Sequence, residues 1–253
     1  MLAYFFLFGV KHMLYLHKIV IFFFKVNHFC LMIYTIMKSI LFGSIGVLAE
    51  SSEIQRRAFN DAFREFGLDW YWNVANYIKM LQKPGGLNRI ADYSNLKLNQ
   101  SDIKKIHNLK VKHFKSLSKN KLKPRKGILE VIDYGLKNHI NIGFITTTNK
   151  STLDLITDNL SEYIDFSKFD LITSDEDVSN RKPYPDIYNY ALEELNLDRL
   201  NSIAIENTIE SCDSAIKADL RTLFYPGEYT PFSENDKITY DIFKSIKDFF
   251  EER

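Results

Sequence analysis

One short apolar run, Ser39 to Phe42, is separated from the next, Ile140 to Ile145, by roughly a hundred residues whose apolar positions recur at helical spacing. Beyond that point the pattern changes. Runs at Phe169 to Ile172, Ser202 to Ile205 and Thr222 to Tyr225 read as strands buried on both faces, and they alternate with helical stretches at Ser151 to Tyr163, Asp186 to Leu195 and Glu210 to Ala218. A strand-to-strand spacing of roughly 30 residues is that of right-handed βαβ units. One strand, an insert far longer than a single crossover needs, and then βαβ units leave one architecture: an α/β protein with a Rossmann-like parallel sheet core and an inserted helical cap domain. In such a sheet a ligand should sit at the carboxyl ends of the strands, roofed by the insert.

Within the insert, helices are expected at Glu53 to Phe66, Trp72 to Leu81 and Ser101 to Ser118, with a break at Lys83-Pro84-Gly85-Gly86. The stiff linker Lys123-Pro124-Arg125-Lys126-Gly127 then leads into a helix from Ile128 to Asn138 that belongs to the core, and a last helix is expected from Tyr240 to Glu252. The expected division is therefore 37–52 and 123–253 for the core and 53–122 for the helical cap.

Residues 1–36 stand apart. They hold no acidic residue, three lysines (Lys11, Lys18, Lys25), seven of the 20 Phe and three of the six His, and the first carboxylate of the chain is Glu50. The segment is apolar, but Lys25 interrupts its best window, where a spanning helix wants about 20 predominantly apolar residues. It also lacks the clean apolar run and small-residue cleavage site of a signal peptide. The reading adopted is that Met37 is the true start, since Met37-Lys38-Ser39-Ile40-Leu41-Phe42 makes a normal first strand; a membrane-associated segment and a folded extension are the alternatives.

With 33 Lys and Arg against 32 Asp and Glu, the charge balance offers no reason to expect nucleic acid or an anionic membrane as the main partner. Two cysteines, Cys30 and Cys212, make neither a disulfide framework nor a Cys-rich zinc site, which suits a reducing cytoplasmic setting.

Four segments carry chemistry. Ser179-Asn180-Arg181-Lys182-Pro183-Tyr184-Pro185-Asp186-Ile187-Tyr188 carries two prolines that open a helix at Asp186 and places a compact cation, Lys182, just before them. Ile142-Gly143-Phe144-Ile145-Thr146-Thr147-Thr148-Asn149 is a strand that ends in hydroxyl residues at a helix start, an arrangement suited to an anion or simply to capping. Ser202-Ile203-Ala204-Ile205-Glu206-Asn207-Thr208 ends a strand in one acid and one amide. The first strand continues into Gly43-Ser44-Ile45-Gly46-Val47-Leu48-Ala49-Glu50-Ser51-Ser52-Glu53.

In this order and at these spacings the segments resemble the haloacid dehalogenase superfamily, in particular its phosphoglycolate phosphatase and β-phosphoglucomutase-like branch with a helical cap, over residues 38 to about 226. The resemblance implies that Thr146 and Lys182 bind a phosphate group and that Glu206 and Asn207 fall where the family's acids hold magnesium. It also implies that Arg89, in Gly85-Gly86-Leu87-Asn88-Arg89-Ile90, lies in a substrate-reading loop of the cap. The family's opening motif puts a nucleophilic Asp and an acid/base Asp where this chain has Gly43 and Ile45. Glycine offers no acceptor for a covalent phosphoryl intermediate and isoleucine shuttles no proton. Only Glu206 stays acidic among the three matching metal positions, so Mg²⁺ is a doubtful cofactor.

Ser44 reads as a loop residue bonded locally, His107 and His113 as solvated positions on a Lys-rich helix, and Trp70, Tyr71 and Trp72 as cap core. The expectation is a protein of this fold that binds a small phosphorylated metabolite of the sugar phosphate class without aspartyl-phosphate chemistry. An unconventional magnesium-dependent phosphosugar hydrolase and a scaffold without catalysis are the alternatives.

Overall fold

Strand β1 (Ser39–Phe42) is buried along its whole length, which its apolar run Ile40-Leu41-Phe42 permits only in the middle of a sheet. In the computed structural model it is indeed central. The six strands run in the order β3-β2-β1-β4-β5-β6, with β2 Asn141–Phe144, β3 Leu171–Ile172, β4 Ser202–Glu206, β5 Arg221–Phe224 and β6 Asp241–Ile242, every pair parallel. Register is common to the three middle strands, Ser39 lying beside both Asn141 and Ser202, so their carboxyl ends finish level. The chain winds outward from β1 to β3 and then crosses to β4 on the other side of β1. The switch point therefore falls at the end of β1, where Gly43, Thr146 and Glu206 meet. The structure describes residues 37–82, 85–95, 97–119, 121–233 and 241–242.

The short helix α1 (Ile45–Leu48) follows β1 directly. The insert then contributes α2 (Ser52–Phe66), α3 (Val74–Met80), α4 (Gly86–Tyr93) and α5 (Gln100–Ser118). Helix α2 ends at Gly67, whose φ of 87° places it in the left-handed region that glycine occupies without strain. The insert's interior is aromatic: Trp72 lies 4.7 Å from both Phe59 and Phe63, and Tyr77, Ile90, Ile103 and Ile106 close around them. Asn60 grips the Trp72 backbone at both its N–H and its carbonyl (2.8 and 3.0 Å), and Arg56 adds a bond of 2.7 Å to the same carbonyl while forking onto Glu53. A loop without regular structure is thus fixed by side chains. Around the sheet pack α6 (Ile128–Lys137), α7 (Lys150–Leu160), α8 (Asp186–Glu194) and α9 (Ile209–Lys217).

The two crossings between insert and sheet lie side by side, joined by a bridge between Ala49 and Pro124. Arg125 locks this point: its guanidinium donates to the carbonyls of Gly46, Tyr225 and Pro226 (2.8, 2.9 and 2.6 Å) and stacks 3.5 Å from the Tyr225 ring centre.

Three expectations change. Gly86–Tyr93 is a helix, so Arg89 sits on a helical face and not in a loop; Gly85, at φ 91°, supplies the turn that starts it right after the break. Asp241–Ile242 is a sixth strand where a helix from Tyr240 was expected, because the edge of β5 offers it a parallel partner; the rest of that expected helix lies outside the described residues. Of the three consecutive aromatics, Trp72 is buried but Tyr71 is 65% exposed. Residues 1–36, with their three alternative readings, lie outside the described residues. No helix among the described residues is long and apolar enough to cross a membrane.

Candidate functional site

The strand ends converge on one buried side chain. Lys182 follows a turn and reaches back to the carboxyl ends of the central strands β1, β2 and β4, where its Nζ donates to the carbonyls of Gly43 (2.5 Å) and Ile145 (2.8 Å) and to Glu206 Oε1 (2.5 Å). Those three bonds use all three ammonium protons. Glu206, wholly buried at the end of β4, also accepts from the Tyr188 hydroxyl at Oε1 (2.7 Å) and from the Ser44 hydroxyl at Oε2 (2.5 Å). Burial draws the Lys182 ammonium below the ordinary lysine range while the Glu206 charge pushes it back up; burial first, and then Glu206, drives the Tyr188 phenol well above its usual value.

The cluster leaves no room for a side chain at Gly43. A Cβ on Gly43 would lie 2.1 Å from Glu206 Oε1 and 2.2 Å from the Tyr188 oxygen, distances no real side chain tolerates. Gly46 is constrained in the same way, since a Cβ there would fall 2.2 Å from Asn207 Nδ2. Gly43 is therefore a packing requirement.

Beside the cluster opens a cleft of about 290 Å³, lined by Gly43, Ser44, Thr146, Lys182, Asn207 and Arg89 among others. Thr146 and Lys182 thus come together as expected. The Thr146 hydroxyl is held within its own turn, donating to the Thr148 hydroxyl (2.9 Å) and accepting from the Thr148 N–H (3.1 Å), while its backbone is tied to Thr173. Two helices begin nearby: α7 is capped by Asn149, and α9 by Thr208, which lines the same cleft. Both N-termini favour negative charge.

Across the cleft, the insert presents cations. Arg89 donates to the Met80 carbonyl (3.0 Å) and lies 6.0 Å from the Tyr77 ring centre. Lys110, buried on α5, lies 5.2 and 5.1 Å from the ring centres of Phe59 and Phe114. Burial and then the Arg89 charge lower its ammonium to about 7; burial, Lys110 and Arg89 together lower His107 to about 4, so that imidazole is neutral. His107 is accordingly half-buried at a wider mouth of the cleft and not a solvated position. His113 pairs with Glu65 at 2.7 Å. On the core side Glu210 is raised to about 7 by burial, with Arg89 opposing and Asp213 adding to the shift.

Sequence reasoning missed Tyr188 and Lys110. Tyr188 closes the segment that contains Lys182 but was given no role there, and only the winding of α8 turns it onto Glu206. Lys110 is one of several lysines in a polar-looking helix, and no local signal separates it from its exposed neighbours. Ser44 was expected to bond locally and instead bonds Glu206, 162 positions away.

The residues present do not fit a magnesium ion. Such a hard cation wants oxygen donors, usually with one or two carboxylates, and here the one matching carboxylate has both oxygens engaged by an ammonium and two hydroxyls. Asn207 Oδ1 is buried without a hydrogen-bond partner, but it is a single neutral oxygen. Among the described residues no three His, Cys, Asp or Glu side chains gather as a metal site.

Residues 40–225 match the model of the haloacid dehalogenase-like hydrolases. The protein CbbY of Cereibacter sphaeroides is 32% identical over 204 residues, covering 78% of this chain and 88% of that protein. A solved structure of CbbY from Rhodobacter sphaeroides in complex with xylulose-(1,5)bisphosphate superposes with a TM-score of 0.74 at 31% identity, covering 83% of this chain and 94% of the other. A phosphate complex of the same protein gives 0.73 with the same coverage. With that match spanning most of the chain, and with a capped parallel sheet whose strand ends carry the expected segments, the protein belongs to the haloacid dehalogenase-like hydrolase family.

Proposed function

We propose that this protein binds a small phosphorylated sugar in the cleft between sheet and insert and does not hydrolyse it by way of an aspartyl phosphate. The observation that carries the reading is the pairing, in one cleft, of an anion-binding end and a plugged reaction centre. Thr146, Thr147, Thr148 and the start of α9 line the site with Lys182, while Glu206 and Tyr188 occupy the space that a side chain at position 43 would need. Ser44 acts as a donor to Glu206 and not as a nucleophile, since its hydroxyl proton is spent on a carboxylate that already accepts from Lys182 and Tyr188. Arg89, which lines the same cleft, suits a second negative group at the far end of the ligand. The relative solved with a sugar bisphosphate supports the choice of substrate class.

The test is calorimetric titration of the full chain with xylulose 1,5-bisphosphate and with inorganic phosphate. The bisphosphate should bind more tightly, Arg89→Ala should remove that advantage, and Lys182→Ala should weaken both ligands by about tenfold or more, because it leaves the Glu206 charge unmatched beside the site. Equal binding by all three proteins would refute the assignment.

A further inference from the structure

We propose that the cleft takes its phosphate group without a divalent cation, an inference that rests on the anion site just described. The argument is one of charge balance. In the family this chain resembles, positions 43, 45 and 207 carry carboxylates beside the one at 206, and a phosphate entering such a group meets like charges that a divalent cation offsets. Here Gly43, Ile45 and Asn207 are uncharged. The one carboxylate left at these four positions, Glu206, is matched by the Lys182 ammonium at 2.5 Å, and Tyr188 and Ser44 donate to two more of its four lone pairs.

The electrostatic obstacle has gone, and so have the ligands of the ion that removed it. A cation entering at Glu206 would have to displace an ammonium bonded to three oxygens. The Glu206 charge at the strand ends is neutralised internally, and in the same cleft the Arg89 charge from the insert's side faces Glu210, whose charged form burial disfavours. An incoming phosphate meets helix N-termini, hydroxyls and a guanidinium, all of which act without metal.

The experiment is titration of the full chain with inorganic phosphate, once in EDTA and once in excess Mg²⁺, followed by the same pair on Asn207→Asp. For the unmodified chain the two dissociation constants should agree within about twofold, because among the described residues no cluster of carboxylates remains to hold Mg²⁺. Binding at least about tenfold tighter with Mg²⁺ would overturn the inference while leaving the anion site intact. Absence of binding under both conditions would overturn the anion site and the inference with it. In Asn207→Asp the added carboxylate should weaken phosphate binding in EDTA by about tenfold, with Mg²⁺ restoring it. Affinity unchanged by that substitution, in either condition, would sink the charge-balance argument.

Discussion

Replacing Gly43 with alanine adds one carbon atom at the end of β1, yet the new atom would overlap Glu206 Oε1, Glu206 Cδ and the Tyr188 oxygen at 2.1 to 2.2 Å. None of these is a free end of a flexible chain: Glu206 is wholly buried and holds Lys182, Tyr188 and Ser44. To admit the methyl, the carboxylate must withdraw from the ammonium, and breaking a buried ion pair while leaving both charges in the interior costs about 3–5 kcal/mol. At roughly 2–4 °C per kcal/mol for a chain of this size, the melting temperature should fall by about 6–20 °C. Urea titration followed by tryptophan fluorescence should show a lower midpoint at an unchanged slope, as expected when stability alone is altered. On a Glu206→Ala, Tyr188→Phe background, where the obstructing oxygens are gone, the same substitution should cost far less. A loss below about 1 kcal/mol in the parent, the size of an ordinary substitution, would refute the claim that Glu206 plugs this space.

Two further outcomes follow from the same geometry. The protein should release no phosphate from small esters in a magnesium-dependent manner, and Gly43→Asp with Ile45→Asp should not create such activity, because the first of these carboxylates has nowhere to go while Glu206 stays; magnesium-dependent release by the unmodified chain would contradict this. Lys110, held at about 7 by burial against an ordinary 10.5, binds its proton more weakly folded than unfolded. Its penalty on stability is therefore complete below pH 7 and relieved as pH rises toward 10.5, so Lys110→Met should raise the melting temperature at pH 6.5 and flatten the increase between pH 7 and 10. An identical pH profile in the variant would show that Lys110 is not the group responsible.

The order of strands and helices was legible in the sequence because burial on both faces writes itself as continuous apolar runs such as Ile40-Leu41-Phe42 and Ile203-Ala204-Ile205. Helix α4 was not, since Gly85 and Gly86 read as a breaker when only Gly85 has the left-handed conformation. Strand β6 is two residues long and is specified by its neighbour's open edge and not by its own composition. At the site, Gly43 was legible as an absence, but its physical meaning was not: that Glu206 and Tyr188 stand in the vacated space depends on a contact between residues 163 positions apart along the chain, of which periodicity carries no trace.

The bridge from Ala49 to Pro124, with Arg125 stapled across it, makes the insert a cassette. Its two ends leave the sheet next to one another, and the hydrogen bonds of β1, β2 and β4 close among themselves without any contribution from residues between Ser52 and Ser118. The strand ladders therefore hold whatever side chains the insert carries, so the surface facing a ligand is separable from the bonds that keep the strands in register. Arg125 is the coupling pin in that arrangement: it fastens the splice to the loop after β5, so the cassette's angle is set from the far side of the sheet and not by the length of its own connections.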